Sequence, residues 1–349
     1  MKYPNNLKRN GTIGFVAPSF GCNIEPYKSG FESAQRKFRE LGYQISLGSN
    51  CYEGKGVGIS NTPEKCAEEL MESYLDETND CLISCGGGEL MCEILEYMDF
   101  EKLAKAEPKW FMGYSDNTNM TYLLATLCDT ASIYGPCAAS FGMEPWHESH
   151  RDALRLITGE CDEVGGYDTW EKESKKDEEH PLVPYNLTEK KILKSYFGSD
   201  PIDWSTRENL SFHGRLLGGC MDCLVNLLGT RYDRTQDFLE QYKEDGIIWF
   251  LEACDLNVFA IRRAMWQMEQ AGWFQYVKGF LIGRPLCFGQ DMMGLDAYEA
   301  VLKVAGSKNV PVIMDVDLGH LPPMMPLMVG SLAEVKVNRN QICVNMERK

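Results

Sequence analysis

The feature that most constrains the fold is an alternation of short apolar strands and amphipathic helices near the start of the chain. The first strand, at 12–17, ends at Pro18 and Ser19, and residues 27–41 then carry apolar side chains at helical spacing before Gly42. Thr62 and Pro63 begin the next helix. Further strands are predicted at 43–47, 80–85, 109–112 and 132–136, with helices at 89–97, 120–127 and 149–157. This alternation predicts a doubly wound parallel sheet of the flavodoxin-like type.

In such a sheet, sites form beyond the carboxyl ends of the strands, where Ser19, the triple glycine 86–88 and Ser115 are expected. Ser115 follows the strand 109–112 and Gly113, and a helix comes after it. Two interpretations stay open on this stretch alone. Ser115 and Asp116 could belong to an ordinary helix cap, or the strand-turn-helix geometry could present the serine hydroxyl as a nucleophile.

The triple glycine allows three interpretations. It could cradle a phosphate, although it lacks the GxGxxG spacing and a following Lys-Ser/Thr. It could be only a tight turn. It could also bring a backbone N–H group of Gly87 or Gly88 toward an acyl oxyanion beside Ser115.

Length and composition predict a soluble globular protein of two domains, because 349 residues exceed one average domain. The net charge of −16 argues against nucleic-acid and anionic-membrane partners. No signal peptide and no apolar run of about 18 residues is present, so we expect a cytoplasmic protein without a membrane span. The 14 cysteines are then expected to be reduced thiols. Cys220 and Cys223 have CxxC spacing without a second ligand pair, which favours thiols over zinc.

We place an N-terminal domain at 1–160, a linker or insertion at 161–212 and a C-terminal domain at 213–349. The middle segment is polar, with a charged run at 171–179 that is typical of a solvated loop. Its aromatic residues, Trp170 and Trp204 among them, either pack on the second domain or cover a ligand. The C-terminal domain is predicted to be α/β with a barrel-like sheet, and to end in a hairpin about 338–340.

Two residues of the C-terminal domain could carry chemistry. Glu252 ends an apolar strand, where a carboxylate is costly to bury without a partner. His320 lies in a loop bounded by glycine and proline after another apolar strand. A loop histidine alone could be structural. Together with Ser115, however, these residues could supply a nucleophile, a general base and an orienting carboxylate.

The motifs that carry a resemblance appear in order along the chain. They are Gly87-Gly88, Gly113-Tyr114-Ser115-Asp116, Leu251-Glu252 with Arg262, and Gly319-His320. In these the chain resembles the LD-carboxypeptidase family of serine peptidases, which includes the microcin C self-immunity proteins.

The resemblance implies a Ser115–Glu252–His320 triad at the domain interface. It also implies an oxyanion hole from the backbone N–H groups of Asp116 and of Gly87-Gly88, and a homodimer. Neither metal nor cofactor is implied. Arg262 could bind a substrate carboxylate or could pair with an acidic residue.

The chain departs from the family at Cys220, where the family commonly has an asparagine that helps to hold substrate, and at Ala253, where it has an acidic residue. The segment at 160–213 resembles the insertion of the microcin-immunity branch, whose aromatics contact a nucleotide-bearing substrate. Trp170 and Trp204 are therefore candidate substrate residues. A muropeptide and an aminoacyl-nucleotide amide both remain possible substrates. A non-catalytic ligand-binding protein and a nucleotide-binding transferase are the alternatives.

Overall fold

The computed structural model of the protein describes residues 1–349 and divides into two compact units. The first unit comprises Met1–Asp162 and Glu173–Asn186, and the second comprises Glu163–Lys172 and Leu187–Lys349. None of the helices combines the length with the apolar composition that crossing a bilayer requires.

The first unit alternates strands and helices along the chain, as the sequence predicts. Its strands are β1 (Thr12–Val16), β2 (Gln44–Leu47), β3 (Cys81–Ser84), β4 (Trp110–Gly113) and β5 (Ser132–Tyr134). Its helices are α1 (Tyr27–Glu40), α2 (Pro63–Leu75), α3 (Phe100–Lys105), α4 (Thr118–Cys128) and α5 (Glu148–Thr158). Three 3-10 helical turns lie at Met91–Tyr97, Ser115–Asn117 and Ala138–Gly142.

The strands pair in parallel in the order β2–β1–β3–β4–β5, which confirms the predicted flavodoxin-like sheet. The order reverses between β1 and β3, and ligands of such folds bind at this reversal. Ser19 follows β1 and Gly86 follows β3, so both predicted loops lie at the same place.

Helix α1 illustrates how this unit is held together. Phe31, Ala34 and Phe38 recur at helical spacing and are fully buried. The ring of Phe31 packs edge-on against Phe15 of β1, with 5.2 Å between centroids. Each buried phenylalanine contributes roughly 1.5–3 kcal/mol, so this stripe fixes the helix on the sheet.

The second unit is built on a larger, mixed sheet. The strands of the unit as a whole, not all of which belong to that sheet, are β6 (Glu163–Gly165), β7 (Thr169–Trp170), β8 (Glu189–Lys190), β9 (Lys194–Phe197), β10 (Asp200–Pro201), β11 (Leu210–Cys220), β12 (Ile247–Glu252), β13 (Val277–Gly283), β14 (Pro311–Val316), β15 (Leu327–Val329), β16 (Leu332–Asn338) and β17 (Gln341–Glu347). Its helices are α6 (Met221–Leu227), α7 (Thr235–Gln241), α8 (Val258–Gln270) and α9 (Ala297–Ala305), and Gly306–Lys308 is a 3-10 turn.

Strands β11 to β14 form a parallel centre, and antiparallel strands flank it on both sides. The sequence predicts a barrel-like sheet in this unit. The structure shows a nine-stranded mixed sheet with the order β10–β9–β14–β13–β12–β11–β16–β17–β6. Strand β12 is buried along its whole length, and its Trp249 stacks on Trp273 with centroids 5.6 Å apart. A continuous apolar run of this kind is typical of a strand covered on both faces.

The segment at 161–212, predicted to be a linker or an insertion loop, contributes strands to the large sheet. Strand β6 pairs with β17 at one end of the large sheet, and β9 pairs with β14 near the other. These strands are only three and four residues long, too short to leave a periodic pattern in the sequence. The predicted helix at 89–97 is likewise a 3-10 turn, Met91–Tyr97.

Candidate active site

Ser115 occupies the strained turn between β4 and α4. Its φ of +62° lies in the left-handed region, which is uncommon for a residue other than glycine and is concentrated at functional sites. A Cβ on Gly113 would lie 2.8 Å from the side chain of Asn117, so only glycine fits this turn. The Ser115 N–H group donates to the Tyr134 hydroxyl at 3.2 Å. The turn therefore has the strand-turn-helix form of a nucleophile elbow.

The triple glycine packs against this turn. A Cβ on Gly87 would lie 3.3 Å from Ser115 Oγ, so the backbone of Gly87 approaches the hydroxyl closely. Asn117 Nδ2 donates to the Gly86 carbonyl at 2.8 Å and fastens the two loops together. The glycines lead into a 3-10 turn, which lacks the aligned peptide dipoles of a long phosphate-binding helix. The structure thus brings Gly87 beside Ser115, as an oxyanion role requires.

The Asp116 carboxylate connects the turn that carries Ser115 to the loop after β1 and to the segment after the triple glycine. It is buried, and Oδ2 accepts hydrogen bonds from Ser19 Oγ at 2.5 Å and from Met91 N at 2.9 Å. Asn119 Nδ2 donates to Oδ1 at 3.1 Å. Burial outweighs these hydrogen bonds and raises the pKa of Asp116 to about 6. The sequence suggested the Asp116 side chain only as a helix cap and its N–H group as an oxyanion donor, and did not reveal these contacts of the carboxylate.

Glu252 and His320 meet in the second unit. His320 Nδ1 lies 2.9 Å from Glu252 Oε2, and Glu252 is only 1% exposed at the end of β12. Burial alone would lower the pKa of His320, but the Glu252 carboxylate and a hydrogen bond with Cys254 outweigh it and hold that pKa well above its usual value. A histidine bound to a carboxylate through Nδ1 presents Nε2 as its base.

Glycines make this pair possible. Gly319 has a φ of +94°, and a Cβ there would lie 2.5 Å from Glu252 Oε2. A Cβ on Gly283 would lie 2.4 Å from the Leu318 carbonyl and 3.0 Å from Glu252 Cβ. The loop that carries His320 therefore packs directly against the ends of β12 and β13, and side chains larger than glycine do not fit at 283 and 319.

Arg284 contacts the loop that carries His320 on both sides of the histidine, at residues 315–317 and at 321. It was not identified from the sequence. It is 1% exposed. Nη1 donates to the Asp315 carbonyl at 2.9 Å, and Nη2 donates to Asp317 Oδ1 at 2.7 Å. Nη2 also lies 3.4 Å from the Leu321 carbonyl, on the far side of His320. A charged residue directly after an apolar strand was the signal that pointed to Glu252, and the same signal marks Arg284.

Residues 163–172 fasten the same loop from another direction. Tyr167 N donates to Asp317 Oδ2 at 2.7 Å, and Glu171 N donates to the Pro322 carbonyl at 2.7 Å. Trp170 is 4% exposed, and its ring lies 4.9 Å from the Arg284 guanidinium. Of the two interpretations offered for Trp170, the structure shows packing within this unit.

Cys220 lies beside the pair, whereas Trp204 does not. The register of β11 and β12 sets Cys220 opposite Glu252. Trp204 lines a surface cavity with Asn338 and Arg339, at the hairpin that adjoins the opposite end of β11. The ten steps along β11 between Leu210 and Cys220 span about 33 Å. Within this unit the structure therefore does not bring Trp204 to the Glu252–His320 pair.

Two further residues complete the account of the predicted site. Arg262 Nη1 donates to the Glu299 carbonyl at 2.9 Å and so connects α8 with α9. Asp222, which sequence reasoning did not select, accepts hydrogen bonds from Cys254 N at 3.0 Å and Asp255 N at 2.8 Å. It thereby fixes the loop that follows Glu252.

A serine on a strained strand-to-helix turn and a buried histidine–carboxylate pair are parts from which serine peptidases are built. A family model described as the LD-carboxypeptidase N-terminal domain matches residues 13–135, and its C-terminal counterpart matches residues 213–335. The chain belongs to the LD-carboxypeptidase family.

Individual relatives are distant but match almost end to end. A Treponema pallidum protein named "Putative carboxypeptidase" is 25% identical over 348 residues, covering 97% of this chain and 94% of that protein. The microcin C7 self-immunity protein MccF of Escherichia coli is 23% identical, with 95% and 92% covered. The crystal structure of an MccF-like protein from Bacillus anthracis superposes with a TM-score of 0.81 at 22% identity, covering 99% of this chain and 100% of that one.

MccF has also been solved in complex with glutamyl sulfamoyl guanosine. That structure superposes with a TM-score of 0.80 at 20% identity, covering 99% of this chain and 98% of MccF. These likenesses confirm the fold that the sequence predicted.

Proposed function

We propose that the protein hydrolyses an amide bond with Ser115 as nucleophile, His320 as general base and Glu252 as the carboxylate that orients the histidine. The observation that carries the proposal is the 2.9 Å hydrogen bond between His320 Nδ1 and the buried Glu252. A buried carboxylate is costly unless it has a partner, and this partner is an imidazole held in the tautomer that a base requires. The strained φ of Ser115 and the close approach of Gly87 support the nucleophile.

In the proposed reaction, His320 Nε2 takes the hydroxyl proton as Ser115 Oγ attacks the carbonyl carbon of the amide. The N–H groups of Asp116 and of Gly87 or Gly88 stabilise the oxyanion, and one such donor is typically worth about 3–4 kcal/mol. When the C–N bond breaks, His320 returns the proton to the leaving amine. Water then attacks the acyl-serine ester, which releases the acid and restores the hydroxyl.

Two substrate classes follow from the family and its solved relatives. One is an aminoacyl-nucleotide amide, because MccF binds aminoacyl sulfamoyl nucleosides. The other is an LD-linked muropeptide, the substrate class that the family resemblance implies. Cys220 lies opposite Glu252 in the strand register and is the candidate residue for substrate contact, since the family commonly has asparagine there.

The proposal is tested with Ser115→Ala and, as a matched control, Ser174→Ala in an exposed loop. A fluorophosphonate probe should label wild type and Ser174→Ala on Ser115, and should leave Ser115→Ala unlabelled. Release of D-alanine from an LD-tetrapeptide and cleavage of an aminoacyl sulfamoyl adenosine are then followed chromatographically.

The triad proposal is refuted if Ser115→Ala keeps wild-type activity. Absence of both labelling and hydrolysis in the wild type would favour a non-catalytic ligand-binding protein.

A further inference from the structure

A cavity of about 250 Å³ lies beyond the carboxyl ends of β12, β13 and β14 in the second unit. Ile261 and Val301 of α8 and α9 form one wall, Ile282 and Met314 of the sheet form another, and Phe288 covers it from a loop. At about 30 Å³ per water-sized group, the space holds about eight such groups. That is the size of one amino-acid side chain with its adjoining backbone.

The polar groups of the cavity have one sign of charge. Asp291, Asp296 and Asp315 line it together with Gln290 and Tyr298, and no lysine, arginine or histidine does so. An apolar cavity with a few convergent polar groups is the usual form of a small-molecule site. This one would repel an anionic ligand and attract a cation.

Asp315 is the deepest of these acidic residues and is directed by a bulge in the sheet. It is 6% exposed, and its φ of +62° is in the left-handed region. Met314 pairs with Ile282 while Gly283 pairs with Val316, so Asp315 is the extra residue. Bulges beside active sites commonly re-aim a side chain.

The charges around Asp315 leave room for a further cation. Tyr298 donates its hydroxyl to Asp315 Oδ2 at 2.6 Å. Burial raises the pKa of Asp315 more than the hydrogen bond from Tyr298 and the charges of Arg284 and Lys194 lower it. Arg284 is bound to Asp317, and neither cation lines the cavity. A cationic ligand would therefore stabilise a carboxylate that the protein itself compensates incompletely.

The cavity adjoins the Glu252–His320 pair. Ala253, which follows Glu252 in the chain, lines it. Gly283 also lines it, and a Cβ on Gly283 would lie 3.0 Å from Glu252 Cβ. A group bound in the cavity thus lies next to Glu252, the carboxylate proposed to orient His320.

We infer that this cavity binds a substrate side chain that is an alkyl chain ending in a protonated amine, with Asp315 as its counter-ion. The inference rests on the proposed function for its placement beside the scissile amide. The binding chemistry follows from the cavity alone, so it can be tested without turnover.

The first test measures binding of pentylamine, 1-pentanol and pentanoate to the full-length protein by NMR titration. We expect pentylamine to bind at least tenfold more tightly than pentanol, and pentanoate to bind more weakly than both. Asp315→Asn should reduce pentylamine binding to the level of pentanol, because asparagine tolerates a positive φ and removes only the charge. Asp203→Asn, in an exposed loop, is the matched control and should bind as wild type does.

A second variant that leaves Asp315 unchanged keeps the inference testable if Asp315→Asn does not fold. Ala297→Phe alters a partly exposed lining residue at the start of α9 and fills the cavity without changing charge. It should abolish binding of pentylamine and pentanol alike. Equal binding of pentylamine and pentanoate to the wild type, or unchanged binding in both variants, would overturn the inference.

Turnover separates this inference from the proposed function. Among matched amides with lysyl, norleucyl and glutamyl acyl groups, the lysyl compound should have a kcat/KM at least tenfold above the others, and Asp315→Asn should remove that preference. Selective amine binding without hydrolysis of any amide would refute the triad and leave the cavity inference standing. Hydrolysis in which the glutamyl compound is preferred would support the proposed function and refute the cavity inference.

Discussion

Replacing Glu252 with glutamine tests the half of the site whose geometry is seen directly. Glutamine has nearly the same volume as glutamate, so the buried end of β12 should keep its packing. The carboxylate only accepts a hydrogen bond from His320 Nδ1, whereas the amide can also donate. When the amide donates, the imidazole carries its proton on Nε2 and cannot accept the serine proton.

The size of the effect follows from this change of tautomer. The corresponding acid-to-amide change in a serine protease triad lowers kcat by about 10⁴-fold. At 1.36 kcal/mol for each tenfold change, this is a loss of about 5 kcal/mol in stabilisation of the transition state. The burial and the 2.9 Å contact of Glu252 place it in the same situation, so we expect a loss of about 10³–10⁴-fold.

The pH profile supplies a second, independent signature. Glu252 holds the pKa of His320 above its usual value, and burial opposes it. Because the base must be neutral, wild-type kcat/KM should rise as pH rises through this elevated pKa. In Glu252→Gln the carboxylate charge is lost, and only the contact with Cys254 still opposes the lowering of the pKa by burial. The acidic limb should therefore move to lower pH while the plateau falls.

The assay is amide hydrolysis between pH 4 and 10, with Glu208→Gln in an exposed loop as the control. Circular dichroism establishes that both variants are folded. Activity of Glu252→Gln within tenfold of the wild type, together with an unmoved acidic limb, would refute the role of Glu252.

Three further substitutions test the surroundings of the site. Gly319→Ala should lower kcat by about 10²-fold, because its Cβ would displace Glu252 and shift the histidine; an unchanged kcat would contradict this. Arg284→Met should lower the free energy of unfolding by about 3 kcal/mol in urea titrations, because Asp317 loses the nearer of its two buried cationic partners and keeps only Lys191 at 3.9 Å. Asp116 binds a proton in the folded state between its ordinary pKa of 3.8 and about 6, so folded-state stability falls as pH rises through this window, by about 3 kcal/mol. Unfolding of Asp116→Asn should lack that decline between pH 4 and 7.

The alternation of strands and helices in the first unit and the position of Ser115 after a strand could be predicted because their signals are local. An apolar strand such as β4, with a glycine and a serine at its end, can be recognised in the sequence. In a parallel sheet the loops that follow the carboxyl ends of the strands lie at one edge. The side chain of Asp116 could not be placed in the same way. Its partners, Ser19 and Met91, are 97 and 25 residues away along the chain.

Residues 161–212 show the opposite limit. Their charge and short strands resemble a linker, yet β6 and β9 complete the large sheet through backbone hydrogen bonds. Backbone pairing does not depend on side-chain type, so composition does not reveal it. The buried position of Trp170 against Arg284 has the same origin, since it depends on where the segment is fastened.

A charged residue at the end of an apolar strand is a sequence signal that could have been applied to more strands, because burying a charge is costly. A charged residue at the end of an apolar strand must find a partner, which is why Glu252 attracted attention. Applied to every central strand, the same criterion selects Arg284 after β13 and Asp315 and Asp317 around the end of β14. In the structure Arg284 donates to the backbone carbonyl of Asp315 and to the carboxylate of Asp317 before His320, and it approaches the Leu321 carbonyl after it. The criterion thus finds the members of a buried polar network, and only the three-dimensional register of the strands tells which member pairs with which.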